Sequence, residues 1–357
     1  MMMTKDKTGI IPLLGYSRDQ LIELLNEMGY RPFHAKQLYS WIYYRGVFEF
    51  DQMTDLSKKL REELNSRFVL QLPRIVEQVQ GEDPDSASKF LFELSDGERV
   101  EAVNIPTEDR NTVCLSCQVG CAFGCTFCAT GQMGLSRNMT AAEIIGSFLA
   151  IRQNSEARIS NVVFMGMGEP LANLEQVMKA YDLLTDGDGI ALSKRKVTIS
   201  TVGIPAQIRK LAEYSPPPKL VFSISSPHDE IRREVLPLAG RYTLKSVHEA
   251  LSYYAQQTRH RITIALIVAE GLNDQLEDAR ALHQWIDGLP SKINLLRYND
   301  AAGSFRRADE QAIERVAAEL ARLGRTVILR KSRGSDVSAA CGQLAAREVR
   351  SGNDGDN

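Results

Sequence analysis

No stretch of the 357-residue chain approaches the roughly 20 consecutive apolar residues of a membrane-spanning helix. The opening residues, Met1–Ile10, also lack the apolar core of a secretory signal, so a cytoplasmic-type chain with no membrane association is expected. Neither sign of charge is in excess: 43 Lys and Arg face 45 Asp and Glu, a net of -2. Any contact with nucleic acid must therefore rest on local basic patches. No internal repeat is present. Apolar residues at 43% and charged residues at 25% exclude the disordered and fibrous classes. Cysteine is scarce outside one place. Cys114, Cys117, Cys121, Cys125 and Cys128 share a 15-residue window, and the sixth, Cys341, lies far toward the C-terminus. Such density, without a secretory signal, reads as metal or redox chemistry rather than a disulfide framework.

The length fits two domains or one barrel with appendages. Residues 1–72 read as a small helical domain. Tyr16 to Gln20 can cap a helix through Leu21, Leu24, Leu25 and Met28, with Gly29 as its stop. A second helix follows Pro32, carrying Ala35, Leu38, Trp41 and Ile42 on one face, and a third covers about Ser57–Phe68. Residues 73–110 alternate as short strands, with Asp96-Gly97 at a turn, and predict a β-hairpin bridge. Within residues 111–345, strands are predicted at Asn161–Met165, Lys196–Thr201, Lys219–Ser225, Arg261–Val268, Ile293–Tyr298 and Thr326–Lys331. Helices are predicted between them near Thr140–Arg152, Leu174–Leu184, Leu244–Gln256, Leu276–Ile286 and Asp309–Leu323, the first opened by a Thr140/Glu143 capping box. The alternation points to an α/β fold with a parallel sheet or barrel, its functional residues at the carboxyl ends of the strands. Residues 346–357 are expected to be a disordered tail.

The segment richest in chemistry is Cys121-Ala-Phe-Gly-Cys125-Thr-Phe-Cys128. Three thiolates on one tight loop can hold three irons of a 4Fe–4S cluster and leave the fourth open to a small chelating molecule. Structural zinc is the alternative if Cys114 or Cys117 joins the set, and a plain electron-transfer cluster is another. A ferredoxin would show four cluster cysteines on a smaller chain.

This loop resembles the signature of the radical S-adenosylmethionine (SAM) superfamily. Gly166-Met-Gly-Glu-Pro170, at the end of a predicted strand, resembles that superfamily's SAM-binding strand end. With Ala339-Ala-Cys341-Gly-Gln-Leu344 and the preceding Arg330-Lys-Ser-Arg-Gly-Ser335, the chain resembles a narrower group over about residues 16 to 345. That group is the adenine carbon-2 methyltransferase family acting on 23S rRNA and tRNA, with its carbon-8 branch. Pro170, where the carbon-8 branch tends to carry Ala, leans toward carbon 2.

The resemblance implies a partial (β/α)6 barrel binding a 4Fe–4S cluster on Cys121, Cys125 and Cys128. It implies two SAM molecules per turnover, a reducing donor such as flavodoxin, an RNA substrate and a monomer. Carbon 2 of adenine is electron-poor and cannot attack the electrophilic methyl of SAM, so the family uses a radical route. Cys341 is implied as the thiol that is methylated and then carries its carbon to the base. Cys114, seven residues before Cys121, matches the resolving thiol that ends in a transient disulfide with Cys341, and Glu101 matches the proton acceptor. Phe127, Gly168, Glu169, Ser200, Ser223, Ser225 and Asn299 match SAM contacts. Two departures stand out: Ser225 occupies the place of a family His, and Cys117 that of a Ser.

Four basic runs are expected to gather at the barrel mouth and meet phosphate: Lys194–Lys196, Arg232-Arg233, Arg306-Arg307, and Arg330-Lys331 with Arg333. The helical domain, with Lys58, Lys59 and Arg61, is expected to add a grip on RNA. Two other readings stay open. One is a radical SAM enzyme with a different substrate; the other is a zinc-stabilised RNA-binding protein.

Overall fold

Ser17 and Gln20 close a reciprocal capping box and start helix α1 (Arg18–Glu27), which buries Leu21, Leu24 and Leu25. Helix α2 (Pro32–Tyr39) continues into a π-helical turn over Ser40–Arg45, so Trp41 and Ile42 are buried on a wider spiral than α-spacing predicts. Helix α3 (Lys58–Arg67) is capped by Ser57. The structure is a computed structural model describing residues 11–81, 86–238, 241–299, 305–330 and 337–346. The expected tail therefore lies outside the described residues except for Ala346.

Among the described residues, ten of the eleven strands of one sheet follow strict chain order. They are β1 (Arg74–Gln80), β2 (Ser88–Glu93), β3 (Arg99–Thr107), β4 (Arg110–Leu115), β5 (Asn161–Phe164), β6 (Val197–Thr201), β7 (Lys219–Ser223), β8 (Ile262–Glu270), β9 (Ser291–Arg297) and β10 (Val327–Arg330). Pairing is antiparallel from β1 through β4 and parallel from β4 through β10. The hairpin strands thus extend the barrel sheet itself. The first barrel strand is β4, a segment that sequence reasoning left without a strand, and it adds a seventh parallel strand to the expected six, of which Val327–Arg330 is the last.

The helices fill the crossovers: α4 (Ala141–Gln153), α5 (Leu174–Thr185), α6 (Pro205–Leu211), α7 (Asp229–Val235), α8 (Leu244–Thr258), α9 (Leu276–Trp285) and α10 (Glu310–Arg322). The Thr140/Glu143 capping box opens α4 as expected, while the seven-residue α6 and α7 went unpredicted. The helical unit docks on α4: a Cβ on Gly146 would lie 2.6 Å from Pro73 Cδ, and Arg152 donates to the Tyr43 carbonyl at 2.8 Å. One apolar core runs from Ile11 to Leu344. Among the described residues, no helix is long and apolar enough to cross a membrane.

Candidate active site at the carboxyl ends of the strands

After β4 the chain forms a short antiparallel ribbon, Gln118–Gly120 against Leu135–Asn138, and the cysteine loop hangs between its arms. Gly120 makes the ribbon possible: at φ +74 a Cβ would lie 1.9 Å from the Gly134 oxygen. The Cys121 N–H donates to that oxygen at 2.8 Å, and Cys128 N–H donates to the Cys125 carbonyl at 3.1 Å. Cys121, Cys125 and Cys128 all line one cavity of about 140 Å³. Burial pushes the Cys121 thiol up to about 12, and Cys125 goes well above its usual value for the same reason. The neighbouring Cys128 raises both further, and Cys121 also raises Cys125.

These residues fit a 4Fe–4S cluster: three cysteines of one loop line one cavity, and such a cluster takes one thiolate per iron.

The end of β5 forms the cavity's floor. A Cβ on Gly166 would lie 2.7 Å from Ser116 Oγ, and one on Gly168 (φ +97) would lie 2.5 Å from Gln118 Cβ. Both glycines let this turn press against the segment leading to the cysteines. Glu169 follows, buried and lining the cavity. Its N–H donates to Gln118 Oε1 at 2.8 Å, while its carboxylate accepts the N–H groups of Leu171 and Val202, each at 2.9 Å. Burial lifts its pKa to about 7 against the pull of those N–H groups. The carboxylate keeps lone pairs for a cationic guest.

Cys341 lies across the cavity on the C-terminal segment. Its exposure is to this cavity, and enclosure pushes its thiol up to about 11. Cys114, near the end of β4, is buried, and its thiol is pushed up to about 12 by burial first and Cys341 second. Cys341 is therefore near enough for its charge to act on the Cys114 thiol. Glu101 on β3 is 1% exposed, unlike a typical strand carboxylate. It pairs with Lys89 Nζ at 3.1 Å and accepts the Ala345 N–H at 2.9 Å, so it holds the segment that carries Cys341.

Of the remaining site candidates, Phe127, Ser200 and Ser223 line the cavity. Ser225 instead faces a smaller adjoining pocket shared with Phe127 and Ser223, and its carbonyl accepts from Asn273 Nδ2 at 2.7 Å. Asn299 is buried with Nδ2 3.5 Å from the Cys341 carbonyl. Cys117 is outside the cavity lining, its Sγ 3.6 Å from the Met167 oxygen. Sequence reasoning passed over Lys89, Gln118 and Asn294, although Asn294 lines the cavity. A lysine inside a strand as apolar as Ser88–Glu93 was the available signal for Lys89.

Only part of the basic runs lies at the mouth. Lys194–Lys196 precede β6 and so lie at the opposite end of the barrel. Arg232 is fully buried, donating to the carbonyls of Tyr242 at 2.6 Å and Val202 at 2.7 Å, and cannot reach a phosphate. Arg306-Arg307 pair with the carboxyl end of β8, and Arg330 lines the cavity. Lys331 and Arg333 lie outside the described residues.

Residues 11–70 match the family described as ribosomal RNA large subunit methyltransferase N-terminal domain, and residues 115–283 match the radical SAM superfamily. The chain is 41% identical over 352 residues to the dual-specificity RNA methyltransferase RlmN of Halorhodospira halophila, covering 98% of this chain and 97% of that one. It is 43% identical to the probable dual-specificity RNA methyltransferase RlmN of Thermus thermophilus, covering 92% and 94%. The fold is similar to a radical SAM methyltransferase from Sphaerobacter thermophilus, with TM-score 0.90 and 36% identity, covering 94% of this chain and 99% of the other.

Proposed function

Because the chain belongs to the RlmN family of dual-specificity RNA methyltransferases within the radical SAM superfamily, we propose that it methylates carbon 2 of adenine in 23S rRNA and in tRNA through a carbon carried on Cys341. It is a radical SAM enzyme that uses a 4Fe–4S cluster and SAM. Three finer parts of the reading rest on family resemblance: a flavodoxin-type donor, a monomer and a cytoplasmic location. So does the division into an RNA-gripping helical unit (1–72), a β-rich extension (73–110) and the barrel (111–345).

The observation that carries the mechanism is the pair of thiols, one facing the cavity and one buried beside it within range of its charge. When bound, the cluster and SAM supply methyl groups and a 5′-deoxyadenosyl radical. Cys121, Cys125 and Cys128 would hold the cluster. Glu169, ionised, would receive the ammonium of SAM, with Gly168 allowing close approach and Phe127, Ser200, Ser223, Ser225 and Asn299 shaping the pocket. Cys341 would accept a methyl on sulfur, lose one hydrogen atom from it to the SAM-derived radical and join the resulting carbon to the base, the surplus electron passing back to the cluster. Glu101 would take the ring proton. Cys114, giving up its own proton, would attack the Cys341 sulfur and break its bond to the carbon, which gains a proton and leaves as the methyl group of the RNA, with a Cys114–Cys341 disulfide left behind. Burial keeps both residues as thiols in the resting protein, so neither is prematurely nucleophilic.

The test exploits the asymmetry of two chemically identical side chains. Cys114→Ala should still load Cys341 and attach it to RNA, so the purified protein should carry RNA that survives denaturant. The adduct should vanish in Cys114→Ala/Cys341→Ala and persist in Glu101→Ala. Mass spectrometry of the freed base should show 2-methyladenosine. Normal turnover of Cys114→Ala with no bound RNA would end the methylcysteine route, and 8-methyladenosine would move the chain to the carbon-8 branch.

A further inference from the structure

We propose that the amino-terminal end of the barrel, remote from the cysteines, is a second docking surface that grips the phosphodiester backbone of the RNA substrate. This inference rests on the RNA-methyltransferase reading above.

Ser200, Ser223, Ala265 and Asn294 face inward, since they line the cavity. Side chains alternate along a strand, so stepping back by twos from each follows the same inner row toward the other end. Those steps reach Lys196 before β6, Lys219 at the start of β7, Arg261 just before β8 and Lys292 on β9. The ladder steps them: Lys219 pairs with Thr198, two residues beyond Lys196, Val221 pairs with Thr263, which sets Lys219 level with Arg261, and Thr263 pairs with Lys292. Four adjacent strands thus each bring one cation toward the same open end, about 4.8 Å apart laterally per strand and offset along the strands.

Charge makes the cluster unusual. The Lys219 ammonium is held below its ordinary pKa by burial and then by repulsion from Lys292, Lys196 and Arg195. Among the described residues, no ion pair involves Arg195, Lys196, Lys219 or Lys292. Arg261 is fixed in place by donating to the Ser291 carbonyl at 2.7 Å. Helix C-termini also gather at this end and favour nearby cations. That effect accounts for one cation per helix end, not for four converging on the inner rows. Like charges left together without carboxylates are suited to an anion with several charges in a row.

Geometry separates this surface from the site of chemistry. The five residues of β6 span about 16 Å, so a base in the cavity cannot itself touch Lys196. A folded RNA larger than the barrel can place one backbone stretch here while its target adenine enters the other end. The chain's net charge of -2 makes such a concentrated basic patch the more selective.

The experiment compares wild type with the triple variant Lys196→Gln/Lys219→Gln/Lys292→Gln, and with the corresponding triple Lys→Arg variant. Binding of a full-length tRNA transcript is measured by fluorescence anisotropy across a salt series. The Gln variant should bind at least tenfold more weakly near physiological salt, and the slope of log affinity against log salt should fall by about two. The Arg variant should match wild type. Methyl loading of Cys341, measured by mass spectrometry without RNA, should be the same in all three, which also establishes that the variants fold. Lys219→Gln alone should lower the salt slope by about one if the triple variant proves unstable. Unchanged affinity and slope in variants that still load Cys341, beside a wild type that binds RNA, would overturn the proposal alone. A wild type that neither binds nor methylates RNA would overturn the RNA reading with it.

Discussion

Replacing Lys89 by methionine tests the buried pair beneath the Cys341 segment. Lys89 and Glu101 lie 3.1 Å apart with side chains 6% and 1% exposed, so water cannot replace a lost partner. Removing one member of such a pair leaves an uncompensated buried charge and costs about 3–5 kcal/mol. For a chain of this size that is a fall in melting temperature on the order of 10 °C. Lys89→Met/Glu101→Gln removes both charges, and exchange of a whole buried pair is often close to neutral. The Gln oxygen can still accept the Ala345 N–H that Glu101 accepts at 2.9 Å. The double variant should therefore be more stable than the single one, an inversion that simple loss of packing cannot produce. Urea unfolding of wild type and both variants under anaerobic conditions measures it. A Lys89→Met protein within about 1 kcal/mol of wild type, or a double variant no better than the single, would refute the assignment.

The pKa of about 7 at Glu169 fixes a sign. The folded carboxyl keeps its proton through a range where the unfolded one, near 4.5, has lost it, so cofactor-free protein should lose stability as pH rises from about 4.5 to 7. The full loss is about 3 kcal/mol, and Glu169→Gln should flatten this part of a stability–pH curve. SAM affinity by equilibrium dialysis should run the other way, weakening below about pH 7 as the carboxylate is protonated. Cys125→Ala should reconstitute anaerobically without the cluster's visible absorbance, whereas Cys117→Ser should keep both colour and activity. Gly168→Ala forces a side chain to φ +97 and a Cβ to 2.5 Å from Gln118 Cβ. It should cost about 2–4 kcal/mol in thermal unfolding and weaken SAM binding, because Gln118 positions the Glu169 N–H.

What could be read from the sequence was mostly what is local. The Cys121, Cys125 and Cys128 spacing lies in one loop, and the later barrel strands are continuous apolar runs bounded by turns. The unpredicted β4 is short and half polar, opening on Arg110, Asn111 and Thr112, while α6 and α7 are only seven residues each, too brief for helical periodicity to emerge. Trp41 and Ile42 keep their buried face by a π-turn that no spacing rule anticipates. Long-range facts were harder still. Nothing near Lys89 in the sequence announces Glu101, its diagonal neighbour across the β2–β3 ladder. Arg232 reads like surface charge beside Arg233, yet packing turns it inward to carbonyls that local sequence does not specify. Lys194–Lys196 did carry a usable signal: residues preceding a barrel strand belong to the end away from the active site.

The segment bearing Cys341 is tied to the rest of the site by polar bonds rather than by a strand or helix of its own. Ala129 N–H donates to the Gly342 carbonyl at 2.8 Å, and Thr130 Oγ1 donates to the Leu344 carbonyl at 2.6 Å. Both donors follow directly on Cys128. Ala345 N–H is taken by Glu101, and Asn299 Nδ2 lies 3.5 Å from the Cys341 carbonyl. The cysteine loop, the proposed methyl carrier Cys341 and the proposed proton acceptor Glu101 are thereby fixed to one another through a few single hydrogen bonds, each worth about 1 kcal/mol or somewhat more where a charge is involved. On the proposed mechanism the Cys341 thiol must face a methyl donor, then a base, then Cys114, and it needs that compromise. A rigid strand would hold it in one position, while an untethered tail would lose the alignment with the cavity. Position 342 adds a backbone requirement: Gly342 has φ +86, a conformation that other residues rarely adopt, although a Cβ there would make only ordinary contact, 3.4 Å from the Phe127 carbonyl oxygen. The glycine beside the carrier is thus part of the same device, letting the segment turn tightly against the cluster loop while Cys341 stays directed into the cavity.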